Sequence, residues 1–110
     1  MKGWTNLDSI GQFDEIIDQS SSQAIVIFKH STRCSISSMA QRRLNDLDPN
    51  GLNASFYYLD LIAHRDVSNY IAEKLDEHHE SPQILVVKKG SCVYEASHME
   101  ITTRDLLEQI

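Results

Sequence analysis

Hydrophobic residues recur at the spacing of one helix face in four stretches of the chain, and these stretches predict helices. The first predicted helix covers residues 8–20 and ends in a run of serines. The second covers 36–47 and stops at a turn cluster at 48–51, and the third covers 65–78. Thr102 or Thr103 can cap a short final helix that ends near the last residue, Ile110.

Runs of β-branched, aliphatic and aromatic residues between these helices predict strands over 24–28, 54–61, 83–87 and 92–96. Residues 89–91 (Lys-Gly-Ser) predict a tight hairpin between the last two strands. The element order is therefore αβαβαββα, in which a helical crossover gives a parallel strand pair and the hairpin gives an antiparallel pair. We expect one α/β domain over residues 1–110, with helices on both faces of a four-stranded mixed sheet.

Charge and cysteine content narrow the class of protein. The chain has 110 residues and a formal net charge of −6, which argues against nucleic acid or an anionic membrane as a partner, because both attract basic surfaces. No basic segment followed by a long apolar run opens the chain, and no apolar run is long enough to span a bilayer. We therefore expect a cytoplasmic protein, in which thiols stay reduced and a cysteine matters as a reactive group.

Cys34 lies where the first predicted strand is followed by a helix. The first N–H groups of a helix have no partner and carry the positive end of the helix dipole, so they stabilise a thiolate, and Arg33 adds a positive charge. A lone cysteine is as often a small buried hydrophobic residue. The polar residues around it favour a solvated position instead. These are Ser31, Thr32, Arg33, Ser35, Ser37 and Ser38.

Three short motifs resemble a known family when they are taken with the predicted element order. They are FKHSTRCSIS at 28–37, HESPQ at 79–83 and SHMEIT at 97–102. The order, with a Cys-x-x-Ser motif at a helix start, resembles the thioredoxin–glutaredoxin superfamily, and the motifs resemble the YtxJ-type monothiol bacilliredoxins. That family usually has proline directly after the cysteine, where this chain has Ser35. The resemblance runs from about Trp4 to the C-terminus.

This resemblance implies a thioredoxin-like domain and an oxidoreductase that removes bacillithiol from mixed disulfides on proteins, with Cys34 as the catalytic residue. Bacillithiol would be a co-substrate, and no cofactor would be bound. The partners would be bacillithiolated proteins and bacillithiol, and the enzyme would be a monomer. Ser37 replaces the second cysteine of a dithiol enzyme, so an external thiol must resolve Cys34. Pro82 matches the superfamily's cis-proline opposite the reactive cysteine. The implied substrate contacts come from Lys29, Thr32, Arg33, Ser35, Ser37, Ser81, Pro82 and His98.

Several of these residues also allow simpler interpretations. Ser37 is either a solvated first-turn serine or a hydroxyl that donates to the thiolate, and Lys29 is either a solvated strand-end lysine or a contact for a carboxylate of bacillithiol. His30 and His98 are interpreted as polar surface residues that could also approach Cys34. The histidines and cysteines lack the spacing of a zinc site, so we expect no metal.

Cys92 begins the strand after the hairpin, at the end of the sheet away from Cys34. Four or five strand residues separate the two ends by roughly 15 Å, whereas a disulfide needs Cα atoms within about 7 Å. We therefore expect no Cys34–Cys92 bond. Two rival functions remain open at this point: a thioredoxin-fold binding module without turnover, and the same chemistry with glutathione or coenzyme A.

Overall fold

The computed structural model describes all residues from Met1 to Ile110. It contains five strands, four α-helices and one 3-10 helix. In chain order these are β1 (Thr5–Asn6), α1 (Ile10–Gln19), β2 (Ala24–His30), α2 (Ser35–Asn45), β3 (Ala54–Asp60), α3 (Arg65–Leu75), β4 (Gln83–Lys88), β5 (Ser91–Ser97), the 3-10 helix (His98–Glu100) and α4 (Thr103–Leu107).

The strands form one mixed sheet in the order β1-β3-β2-β4-β5. Strand β2 pairs in parallel with β3 and antiparallel with β4, and β4 pairs antiparallel with β5. The predicted count of four strands is wrong by one, because β1 adds a short parallel pairing of Thr5 and Asn6 with Tyr57 and Tyr58. A strand of two exposed residues has no hydrophobic pattern, so only its pairing partner defines it.

Two hydrophobic cores fill the two faces of the sheet, as the predicted double-sided packing requires. Alternate residues of β2 enter each core, and all seven of its residues are buried. One core joins the sheet to α2 and α4, where Ala40, Leu44 and Leu106 are buried. The other joins it to α1 and α3. This arrangement fixes both ends of β2, and α2 begins a few residues beyond its last residue.

Local chemistry sets the ends of the elements. The Ser9 hydroxyl accepts from the backbone N–H of Gln12 and caps α1. Helix α3 ends at Leu75 rather than at residue 78, because Asp76 adopts a left-handed conformation with φ 53° that cannot continue the helix. The predicted hairpin is confirmed, with Lys89 and Gly90 both at positive φ. None of the helices has the length and apolar character needed to cross a membrane.

Candidate active site

Cys34 is the N-cap residue of α2, as the sequence predicts. Its backbone is extended, with φ −111° and ψ 124°, and its carbonyl oxygen accepts from the Ser38 N–H at 3.0 Å. The side chain is partly exposed, which contradicts the alternative of a buried core cysteine. Thr32, Arg33 and Ser35 beside it are exposed, so the thiol lies at a polar and accessible surface.

The N-terminal end of α2 determines which charges lie in the helical turn next to the sulfur. The N–H groups of the first turn of α2 have no partner inside the helix and carry the positive end of its dipole. No acidic residue lies in that turn. The residue directly before Cys34 is Arg33, whose side chain is exposed and carries a positive charge. A thiolate at Cys34 therefore meets positive partial charges and no competing carboxylate in its own helical turn.

The segment before β4 lies next to the end of β2, because Gln83 at the start of β4 pairs with Lys29. The Ser81–Pro82 bond is cis, which confirms the prediction, and Pro82 is buried. The carbonyl oxygen of Pro82 accepts from the His98 N–H at 3.1 Å, and His98 Nε2 lies 3.3 Å from a carboxylate oxygen of Glu80. His98 is thus held against the cis-proline segment, with about half of its side chain exposed.

A buried polar pair lies between the end of β2 and the first turn of α2. Ser37 Oγ is 2.6 Å from His30 Nδ1 and accepts from the Ser31 N–H at 2.9 Å. Both side chains are almost completely buried, so the alternative of a solvated Ser37 and the interpretation of His30 as a surface residue are wrong. No hydrogen bond joins the Ser37 hydroxyl to Cys34 in this conformation. Burial lowers the pKa of His30, and the nearby Asp60 carboxylate acts in the opposite direction.

Lys29 points to the other face of the sheet. Its side chain is fully buried, and Nζ lies 3.2 Å from the Ser68 carbonyl oxygen and 3.4 Å from His79 Nδ1. Burial lowers the pKa of Lys29 to about 8. The alternative of a solvated strand-end lysine is wrong, and in this conformation the ammonium group is closed off from any carboxylate in solvent. The burial of His79 lowers the pKa of its own imidazole, and the nearby positive charge of Lys29 lowers it further.

The burial of His30 and Lys29 differs from the prediction because β2 extends to His30 instead of ending at Phe28. The run of buried residues in this strand is the sequence signal that could have predicted the burial of Lys29 and His30. A strand with both faces buried continues until the chain turns, and these two polar residues complete β2 before the loop at Ser31.

The second cysteine is separate from this site. Cys92 pairs with Val87 near the hairpin, whereas Cys34 follows the opposite end of the sheet, and both thiols are free. Cys92 is half-buried against the core of α1 and α3. Burial, helped by the Glu77 carboxylate, raises the pKa of Cys92 to about 11. The structure also contains no group of three or more His, Cys, Asp or Glu side chains that could hold a metal ion.

Comparisons with known proteins agree with this geometry. Residues 5–106 match the family model described as monothiol bacilliredoxin BrxC. A solved structure described as a proposed oxidoreductase with a thioredoxin fold is 32% identical, with a TM-score of 0.84, and the match covers 96% of this chain and 92% of that one.

More distant solved structures show the fold. Thioredoxin from Malassezia sympodialis is 16% identical, with a TM-score of 0.77 and coverage of 96% of this chain and 89% of that one. Thioredoxin from Fasciola hepatica is 15% identical, with a TM-score of 0.76 and coverage of 96% and 95%. The chain therefore has the thioredoxin fold of a thiol oxidoreductase and belongs to the monothiol bacilliredoxin BrxC family.

Proposed function

We propose that this protein removes bacillithiol from mixed disulfides on cytoplasmic proteins, with Cys34 as its only reacting cysteine. The observation that carries the proposal is the position of Cys34: it is a partly exposed N-cap residue, and a serine replaces the second thiol one turn later. The family match to monothiol bacilliredoxins supports the choice of bacillithiol as the small thiol.

The reaction takes two exchange steps. The Cys34 thiolate attacks the bacillithiol sulfur of the mixed disulfide, so a Cys34–bacillithiol bond forms and the substrate protein leaves as a thiolate. The thiolate of a second bacillithiol then attacks the bacillithiol sulfur on Cys34. This forms bacillithiol disulfide, releases Cys34 as a thiolate and supplies the two electrons of the net reduction.

Several residues around Cys34 suit these steps. The first turn of α2 and Arg33 stabilise the sulfur whenever it is an anion. The backbone before Pro82 can pair with an extended substrate as an added strand would. Arg33, Thr32 and Ser35 are exposed beside the sulfur and can contact the polar groups of bacillithiol. His98 lies against the cis-proline segment and completes the proposed binding surface.

Adduct mapping by mass spectrometry tests this function. The reduced protein is exposed to bacillithiol disulfide, and we expect one bacillithiol adduct on Cys34, none on Cys92 and no loss of two hydrogens. Glutathione disulfide and coenzyme A disulfide in parallel reactions decide which small thiol is used. A Cys34→Ser variant that still removes bacillithiol from a modified protein would contradict the proposal.

Ser37→Cys provides a matched control for the one-cysteine mechanism. Residues three apart in a first helical turn bring Cα atoms within the range of about 4.4–6.8 Å that a disulfide needs. We expect this variant to lose two hydrogens on oxidation and to carry little adduct. If the wild type behaved like Ser37→Cys, an internal disulfide would replace the proposed external resolution. If wild-type Cys34 reacted no faster than free cysteine and took no adduct, a binding module without turnover would be the better description.

A further inference from the structure

The buried contact between His30 and Ser37 is not used by the exchange steps above. It lies one helical turn from Cys34, since Ser37 is three residues further along α2. Side chains three residues apart lie on the same helix face, and a side chain at this position of a first turn can reach back to the N-cap residue. The pair therefore lies at the helical turn that Cys34 begins, and no hydrogen bond joins it to the sulfur in the resting conformation.

The hydrogen bonds at Ser37 leave its hydroxyl only two arrangements. A serine oxygen has one proton to donate and two lone pairs to accept with. The Ser31 N–H always occupies one lone pair. When His30 Nδ1 accepts, the hydroxyl proton points to the imidazole and the second lone pair is free. When His30 Nδ1 carries a proton, it occupies the second lone pair and the hydroxyl proton is free to point elsewhere.

We propose that Ser37 relays a proton between Cys34 and His30. The Cys34 thiol gives its proton to Ser37 Oγ as Ser37 gives its own hydroxyl proton to His30 Nδ1. The products are a thiolate, an imidazolium and a serine hydroxyl that now donates to the thiolate. The reverse transfer moves the proton from His30 through Ser37 back to the Cys34 thiolate after the second exchange step has released it. This inference rests on the proposed function, since it supplies the thiolate that attacks.

The surroundings of His30 suit a proton acceptor. It is 2% exposed, stacks on Phe28 and lies beside the Tyr58 ring, so the imidazole is held in place. From β3 the titratable groups that face it are Asp60 and Tyr58, and from α2 the Ser37 hydroxyl contacts it. Burial lowers the pKa of His30 from 6.5, which favours the neutral imidazole that can accept a proton. The Asp60 carboxylate stabilises the imidazolium that forms.

Alkylation kinetics of Cys34 test the relay in a Cys92→Ser background. The rate constant for iodoacetamide is measured from pH 5 to pH 9 for Ser37→Ala, His30→Asn and Ser37→Thr. Ser37→Ala removes the hydroxyl, and His30→Asn keeps a hydrogen-bonding side chain that takes no proton. At pH 7 we expect both to react about 10- to 100-fold more slowly, which is the range for losing a hydrogen bond to a charged group. Ser37→Thr keeps a hydroxyl and should keep most of the rate.

The shape of the pH profile separates a relay from mere packing. The wild type should show an inflection from His30 in addition to that of Cys34, and Ser37→Ala and His30→Asn should lose it. A variant damaged only in its packing would keep the inflection. If Ser37→Ala and His30→Asn both reacted at the wild-type rate and with the wild-type pH profile, the relay would be wrong. Formation of the bacillithiol adduct on Cys34 would still support the proposed function in that case.

A measurement on the unmutated chain avoids any loss of folding. The imidazole nitrogen shifts of His30 are followed by NMR against pH, with Cys34 free or blocked by methyl methanethiosulfonate. We expect the His30 signals to respond at the pH where ultraviolet absorbance reports thiolate formation, and to lose this response when Cys34 is blocked, because coupling between two sites is reciprocal. His30 signals that ignore the ionisation of Cys34 would overturn the relay. A Cys34 that ionises normally but takes no adduct would overturn the proposed function instead.

Discussion

Lys29 is a charged residue in a strand whose seven residues are all buried. Its ammonium group has a carbonyl oxygen and a histidine nitrogen as neighbours, and neither the hydrogen bonds nor the ion pairs give it a carboxylate partner. Burial without a counter-charge disfavours the protonated form and lowers the pKa of Lys29 from 10.5 to about 8. The folded chain therefore binds the Lys29 proton more weakly than the unfolded chain does.

Because the folded chain binds the Lys29 proton more weakly, the free energy of unfolding should increase as the pH rises above 8. Below pH 8 Lys29 is protonated in both states, and the full destabilisation of about 3 kcal/mol is present. As the pH rises from 8 towards 10.5, the folded chain has released the proton and the unfolded chain still holds it, so the destabilisation disappears. We expect the unfolding free energy of Lys29→Met relative to wild type to fall by about 2 kcal/mol between pH 7 and pH 10.

Urea unfolding at several pH values checks this prediction. Lys88→Met, at the partly exposed end of β4, controls for the removal of a lysine as such. The absolute stability of Lys29→Met also contains the loss of the Ser68 contact, so only the change with pH is diagnostic. A pH dependence of the same size in Lys88→Met would contradict the assignment to burial at Lys29.

At the scale of elements, the backbone at the start of α2 affects both the stability of the helix and the position of the reactive cysteine. Ser35 is the first helical residue, where an N–H group has no partner within the helix. Cys34 before it has φ −111° and ψ 124°, which lies in the extended region that a following proline requires. The position after the reactive cysteine is therefore already shaped for proline, although this chain has serine there.

Ser35→Pro should raise the free energy of unfolding by about 0.4–1 kcal/mol, because proline restricts the unfolded chain and adds no strain here. Ser38→Pro is the matched control, since the Ser38 N–H donates to the Cys34 carbonyl oxygen at 3.0 Å and proline would remove that bond. We expect the control to lose about 3 kcal/mol. Thermal unfolding followed by circular dichroism measures both. A loss of stability in Ser35→Pro comparable to the control would show that the first turn differs from the described one.

At the scale of the whole molecule, the sheet holds the two cysteines in opposite environments. Cys34 lies at a helix N-terminus beyond one end of β2, with no acidic residue in its turn. Cys92 lies near the hairpin, half-buried and close to Glu77, and its pKa is raised to about 11. The two free thiols differ because the fold gives one of them positive partial charges and the other an apolar, acidic environment.

Ellman's reagent should distinguish these thiols in the folded protein at pH 7.5. We expect one fast equivalent from Cys34 and a second that reacts only after unfolding in guanidinium chloride, because a thiol with a pKa near 11 forms very little thiolate. Cys92→Ser should keep the fast equivalent and Cys34→Ser should lose it. A fast equivalent that persists in Cys34→Ser would contradict this separation.

The sequence by itself determined the order of helices and strands, the hairpin and the position of Cys34 at a helix start. These features are local: a helix face or a buried strand is visible within one window of residues, and a turn follows from glycine beside a polar residue. The match of Pro82 to a cis-proline also needed only sequence, through the family resemblance. The four-strand count fell short because β1 has no pattern of its own.

Only the tertiary structure decided the surroundings of the polar residues near Cys34. Whether Lys29 and His30 are exposed depends on how far β2 extends under α3 and α2, which no window of sequence contains. The contact of Ser37 with His30 and that of His98 with Pro82 join residues on different elements. Burial and hydrogen bonding of this kind arise from packing between elements that are distant in the chain, and they set the protonation of the groups that surround the reacting sulfur.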